Sequence, residues 1–298
     1  KQGARPKQIQ MKYSEPTESE PKSSVKKPDE VEKQKEMKGE GELVKQVQFP
    51  SKILHFTFYN YCPKYFLVGR PITSMALVLY WPGEKCKRTE CALPVGTPFV
   101  KEGFFLHGYW PQSTGNNNML CCQTKTPLSL AEKIIFGDDT LKDLIYRNWM
   151  SISVCAVSLY QYDKHGSCAQ KIFEGPNGIK DYMRTTIALY QKYNLWKILQ
   201  ESELQVVTNK LYNIEQLKKV LRREIGCEVI FTCVEMTSIF DVKMCFDPNS
   251  NPFNPTFIKC PDKNYREEKR RCSKEVMFEE FPKYLLDPVT SPRNNCPY

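Results

Sequence analysis

The sequence predicts an α+β domain: a central antiparallel sheet with a histidine at its lip, helices packed on one side, and disulfides stapling the whole. Three observations predict it. Short apolar runs bounded by Gly, Pro and Asn read as buried strands. Longer stretches with apolar residues every three or four positions read as helices packed on a sheet. Thirteen of the 298 residues are cysteine, a usage that belongs to an oxidising compartment and to disulfides.

Residues 1–50 are rich in Lys, Glu, Pro, Ser and Gln and carry no cysteine. Such a composition buries too little apolar surface to offset its ordering entropy, so the reading is a disordered, solvated charged extension, or else an arm that orders only on a partner. Residues 51–298 form the folded domain, and the 41% hydrophobic content suffices for one core. No apolar run is long enough to span a membrane. The first residue is Lys1, which reads as a chain whose targeting segment has been removed. The compartment expected is secreted, endomembrane or vacuolar lumen, although the chain has no Asn-x-Ser/Thr sequon. The net charge of +9 suits RNA or another polyanionic surface.

Phe56-Thr57-Phe58-Tyr59 is an aromatic strand or cover, and His55 before it reads as a surface or packing residue. Met75 to Trp81 is a buried strand ended by Pro82-Gly83. Phe104 to His107 is a second strand, which Gly108 and Pro111 force the chain to leave, with Trp110 beside the imidazole. Gln112 to Asn118 is a polar loop, either a plain turn or a set of amides able to read a base edge. Helices are predicted over 141–150, 152–165, 179–199 and from Asn213 or Ile214 to 225, the last stopped by Gly226. On the second of these, Gln161, Lys164 and His165 share a face. Strands are predicted over 229–234, 239–246 and 257–260, and Lys269-Arg270-Arg271 reads as a solvated face.

His107 and His165 are two of only three histidines. Two imidazoles, the lysine Lys164 beside one of them and nearby aromatics form a set able to move protons on a phosphate ester next to a base-stacking surface. The cysteine spacings hold no Cys-x-x-Cys pair, so neither a zinc site nor a cofactor is expected.

The run His107-Gly108-Tyr109-Trp110-Pro111 resembles the first active-site motif of the ribonuclease T2 family, His-Gly-Leu-Trp-Pro, with Tyr109 in the Leu place. Tyr160-Gln161-Tyr162-Asp163-Lys164-His165-Gly166-Ser167-Cys168 resembles the second, His-Glu-Trp/Tyr-x-Lys-His-Gly-Thr/Ser-Cys, with Tyr160 and Gln161 in the His and Glu places. The resemblance covers roughly residues 72 to 282. It implies the family's fold and disulfides Cys86–Cys91, Cys245–Cys260, Cys233–Cys272, and Cys168 with either Cys121 or Cys122. Cys62, Cys155, Cys227, Cys296 and the remaining one of Cys121/Cys122 are then left, an odd number that leaves a thiol over.

The resemblance also implies an activity: endonucleolytic cleavage of single-stranded RNA through a 2′,3′-cyclic phosphate, without metal. His165 would be the base, His107 the acid and Lys164 the group that stabilises the transition state. Trp110 would stack on or frame a base, with Tyr109 and Tyr160 beside it as substrate-binding residues. Gln161 cannot exchange a proton, and losing that electrostatic helper would cost ~10²–10³ in rate, so a weakened ribonuclease is expected. The alternative is a catalytically impaired ribonuclease-like protein that binds or stores RNA or assembles a complex, docking on a protein partner through residues 1–50.

Overall fold

The computed structural model describes residues 52–113 and 117–298; the extension of residues 1–50 lies outside them. In chain order the elements are β1 (Ile53–Leu54), β2 (Ile72–Tyr80), α1 (Pro82–Arg88), β3 (Leu93–Pro94), β4 (Phe105–Ser113), β5 (Asn117–Asn118), α2 (Leu128–Phe136), α3 (Asp139–Asn148) and α4 (Val157–Lys164). A 3-10 turn over Gly166–Ala169 leads to α5 (Gly178–Lys192), α6 (Leu195–Glu201), β6 (Tyr212–Asn213), α7 (Ile214–Ile225), β7 (Ile230–Val234) and β8 (Met236–Phe246). The chain ends with α8 (Asp262–Arg271), β9 (Cys272–Met277) and β10 (Arg293–Asn294).

The main sheet runs β5-β4-β2-β8-β9-β6, with β7 also on β8. Its pairings are antiparallel except for β8 with β9. A small parallel sheet, β1-β10-β3, joins the two flanks of the domain. The sheet divides the apolar residues by the period of two that strands impose. Met75, Leu77 and Leu79 of β2 enter the large core with Trp81, Trp149, Trp196 and Tyr109. Ala76 and Val78 face the other way, with Trp110, Ile230 and Cys245.

Several predicted elements change in length or kind, for physical reasons. The helix expected over 152–165 begins only at Val157, because Ala156 takes a left-handed φ of 60° and Cys155 bridges to Phe58. The long helix of 179–199 is two helices. The chain breaks at Tyr193, and the Asn194 side chain caps the second by accepting the Lys197 backbone N–H. Residues 257–260 form no strand, only one bridge between Phe257 and Phe246. Pro82 ends β2 as expected but also opens α1, where a proline costs nothing in the first turn. The basic run 269–271 is the last turn of α8, where positive charge meets the helix dipole favourably. α7 ends as read, at Gly226 with φ 73°.

Six disulfides tie the fold: Cys62–Cys121, Cys86–Cys91, Cys122–Cys168, Cys155–Cys296, Cys233–Cys272 and Cys245–Cys260. The adjacent pair is thereby divided, Cys122 to Cys168 and Cys121 to Cys62. Cys227 keeps a buried thiol, which burial pushes up to about 11. Among the described residues no helix is long and apolar enough to cross a membrane.

Candidate active site

The first histidine owes its orientation to a one-residue irregularity. Across the β2–β4 pair, Val78 stands opposite Gly108 and Leu79 opposite Leu106, so His107 has no partner and forms a β-bulge. In a regular strand, residues three apart face opposite sides. A bulge adds one residue and re-aims the side chain. His107 therefore shares the Ala76/Val78 face with Trp110: the two rings meet edge to face, centroids 5.0 Å apart. Tyr80 packs against the same imidazole at 5.8 Å. On β8, Asp241 lies opposite Tyr80 and Lys243 opposite Val78, so both charged side chains come to this face. The Asp241 carboxylate accepts a hydrogen bond from His107 Nδ1 at 3.0 Å.

The second histidine comes from the end of α4. His165 caps that helix, and the 3-10 turn behind it runs along the β4 edge. Its ring stacks on Trp110 with centroids 4.6 Å apart and planes 19° from parallel. His165 Nδ1 lies 3.1 Å from the Met119 carbonyl oxygen, which can only accept, so this nitrogen carries the hydrogen and Nε2 keeps a lone pair. Burial, reinforced by the neighbouring Lys164 charge, holds the imidazole well below its usual range even though the Met119 bond opposes this. His165 is thus held in its neutral form, with the Nε2 lone pair free of the Met119 bond.

Trp110 joins the two halves. Its indole N–H donates to Gln161 Oε1 at 2.9 Å, and Lys243 Nζ lies 5.9 Å from its ring centroid. Gly108 makes this possible: a Cβ there would press on the indole nitrogen and lie 2.8 Å from Gln161 Oε1. Cys122–Cys168 and the bond from Cys121 N–H to the Lys164 carbonyl hold the α4 end against the segment that follows β5. Lys164 reaches across Tyr160, Nζ 5.3 Å from the ring centroid. Tyr160 in turn stacks on Tyr59 at 4.5 Å.

The arm carrying Tyr59 is tied by Cys62–Cys121 to the segment after β5 and pinned to α4 by Asp163, whose carboxylate accepts from Cys62 N–H and from the Tyr65 hydroxyl. His55, three residues before Phe58, is exposed on this arm.

The structure thus brings His107, Trp110, Gln161, Lys164, His165 and Tyr160 to one region and removes Tyr109. That side chain is 2% exposed on the opposite face, packed on Tyr182 and Phe246. The expectation that it touches substrate fails, because strand alternation turns it into the core while Trp110 turns out of it. Trp110 is itself 8% exposed, one face covered by His165. Of the polar loop, Gln112 and Ser113 belong to β4. Gln112 bridges Ser74 and Asn118, and residues 114–116 lie outside the described ones.

Sequence reasoning missed Asp241, Lys243, Tyr80 and Tyr59. The signal for the first two was present: charges two apart inside the apolar strand Ile239–Phe246, hence on one face of it. Among the described residues no group of three or more His, Cys, Asp or Glu is placed to hold a metal ion.

Comparison with known proteins bears on this geometry. The model of the ribonuclease T2 family matches residues 72–260. Ribonuclease S-F11 of Nicotiana alata is 24% identical over 199 residues, covering 63% of this chain and 90% of that protein. Ribonuclease T2 of Danio rerio is 26% identical over 188 residues, covering 59% of this chain and 69% of its own length. Among solved structures, RNase NT in complex with 5′-AMP superposes with a TM-score of 0.55 at 23% identity, covering 70% of this chain and 99% of that one. An RNase-related protein from Calystegia sepium does so with 0.54 at 23% identity, over 70% and 97%. The two structures share the fold.

Proposed function

This chain belongs to the ribonuclease T2 family, and from that membership we propose that it is an endoribonuclease that cuts single-stranded RNA by transphosphorylation. The observation that carries the reading is the convergence of two motif histidines on one indole, 5.0 and 4.6 Å from its centroid, one of them neutral with a free Nε2.

RNA brings its own nucleophile. His165 Nε2 takes the proton from the ribose 2′-OH as that oxygen bonds to phosphorus. The bond from phosphorus to the 5′-oxygen breaks, and the leaving oxygen takes a proton from His107 Nε2. The products are a 2′,3′-cyclic phosphate and a 5′-hydroxyl, and water opens the cycle in a second step. Lys164 offsets the negative charge on the phosphorane. The chemistry asks for proton transfer and charge, which two imidazoles and one ammonium supply.

The departures from the family pattern set the rate. Gln161 is 4% exposed and spends its carbonyl on Trp110, and Tyr160 carries no charge, so turnover is reduced and not abolished. Six disulfides support an oxidising compartment, and residues 1–50 are the segment available to a protein partner.

The test is cleavage of a defined single-stranded RNA by the purified chain, with the 3′ ends of the products analysed. A cyclic phosphate that disappears in His107→Ala and in His165→Ala supports the reading. Gln161→Glu, which restores a carboxylate beside Lys164, raises the rate about tenfold or more, and that gain vanishes in the His107→Ala background. RNA binding without cleavage in the native chain, with Gln161→Glu only weakening that binding, rejects the enzyme in favour of a ribonuclease-like binding protein.

A further inference from the structure

We propose that Asp241 of β8 is the positioning residue that fixes the tautomer and direction of His107; the inference rests on the catalytic reading above and adds to it a residue outside both motifs.

The geometry is specific. His107 sits at a bulge, where no cross-strand partner on β2 restrains it. Its backbone is held from the other side by Trp149, whose indole N–H donates to the His107 carbonyl at 3.2 Å. Among the described residues the side chain has one hydrogen-bond partner, the Asp241 carboxylate at 3.0 Å. That carboxylate is 10% exposed and the imidazole 27%, so the pair lies at the edge of the buried face, carboxylate inward and ring outward. A carboxylate accepts and does not donate. It therefore selects the form with hydrogen on Nδ1 and leaves Nε2 as the atom that exchanges a proton with substrate. When His107 is protonated, the same carboxylate balances the imidazolium. When the proton has left, Nε2 is the bare nitrogen and the ring has not turned.

The groups around the His107–Asp241 pair come from five elements. Tyr80 of β2 and Trp110 of β4 pack on the ring. The charge of His165, beyond the end of α4, is coupled to that of His107. Asp241 itself interacts with Lys85 of α1, whose ammonium burial lowers while the carboxylate opposes that shift, and with the Tyr80 phenol, which burial raises. Lys243 lies two residues along β8 and over Trp110. Of these neighbours, Asp241 is the one that touches Nδ1.

The test reads the tautomer and the turnover separately. Imidazole nitrogen-15 shifts, recorded at a pH where His107 is neutral, show hydrogen on Nδ1 in the native chain. Asp241→Asn offers Nδ1 either a carbonyl or an amide N–H and no charge, so the hydrogen redistributes toward Nε2. In that variant kcat for RNA falls about 10²–10³-fold with KM changed less than about threefold, while Asp241→Glu recovers most of kcat. Unfolding curves of both variants separate this from a folding defect, and the native-chain spectrum needs no variant at all. Hydrogen on Nε2 in the native chain, or a folded Asp241→Asn with native kcat and native tautomer, overturns the proposal. A native chain that shows the Nδ1 form yet cuts no RNA supports the hold and overturns the proposed activity instead.

Discussion

Gly108→Ala is the sharpest probe of how the site is built. Both indole and amide are buried around this position: Trp110 is 8% and Gln161 4% exposed. The new methyl would press on Trp110 Nε1 and stand 2.8 Å from Gln161 Oε1, inside the 2.9 Å hydrogen bond that joins them. Overpacking of this kind costs about 1–3 kcal/mol. Parting the bond leaves a buried donor and a buried acceptor unpaired, at about 1–3 kcal/mol for each. Alanine returns roughly 0.5–1 kcal/mol over glycine in a strand. The net loss is about 2–8 kcal/mol, which for a domain of this size lowers the melting temperature by roughly 4–30 °C. The assay is thermal melting followed by circular dichroism, repeated in a Gln161→Ala background. Without the amide one obstacle is gone, so the cost of the methyl falls by about 1 kcal/mol or more in the double-mutant cycle. A Gly108→Ala protein that melts within a degree of the parent, or a cost independent of Gln161, refutes the account of Trp110 as the joint between the motifs.

Two further outcomes follow from burial and covalent ties. His165 has its ordinary value of 6.5 when unfolded and a lower one when folded, so the unfolded chain binds more protons in between. Its contribution to stability is complete above 6.5 and is lost as pH falls toward the folded value; urea unfolding at pH 5 and 7.5 shows a smaller loss in His165→Gln than in the native chain. Replacing Cys62 and Cys121 by serine opens a loop with a sequence separation of 59, worth at most about 4 kcal/mol by chain entropy. Hydrogen exchange then rises in residues 56–67, with the bond from Tyr59 N–H to Cys155 O among the first to open; unchanged protection there would mean that Asp163 alone pins the arm.

The residues that fill the site were largely legible, and their arrangement was not. The apolar run before His107 marks a strand, but Gly108 and Pro111 do not end it as expected: β4 stays paired with β2 through both of them as far as Ser113. Nothing in the run marks the bulge, because a bulge is a property of the pairing with β2. Its effect is to send Trp110 out with His107 while Tyr109 goes in, so a reading of neighbouring aromatics as one surface put Tyr109 on the wrong face. Asp241 lies 134 residues from His107, a distance no local pattern spans, although the alternation of charge in β8 announces a polar face. The helix over 152–165 was overdrawn at its start because the pull of Cys155 toward Phe58 and Cys296 outweighs helical spacing. The division of the adjacent cysteines depends on where the arm lies, which only the folded chain specifies.

The pairing of Cys155 with Cys296 carries a cost in biosynthesis. The two are 141 residues apart, so at about 5–20 residues per second a growing chain exposes the Cys155 thiol for roughly 7–30 s before its partner is made. Cys122 waits for Cys168 over a separation of 46, and Cys155 emerges before Cys168 does. Under oxidising conditions Cys122 therefore meets Cys62, Cys86, Cys91, Cys121 and Cys155 before its own partner is made, and an early bond to any of these is the wrong one. A chain that makes this early bond must break it again by thiol–disulfide exchange before the end of α4 can close on β4. Where such bonds form, assembly of the site waits on thiol–disulfide exchange, and production where shuffling is slow would hold the two motifs apart.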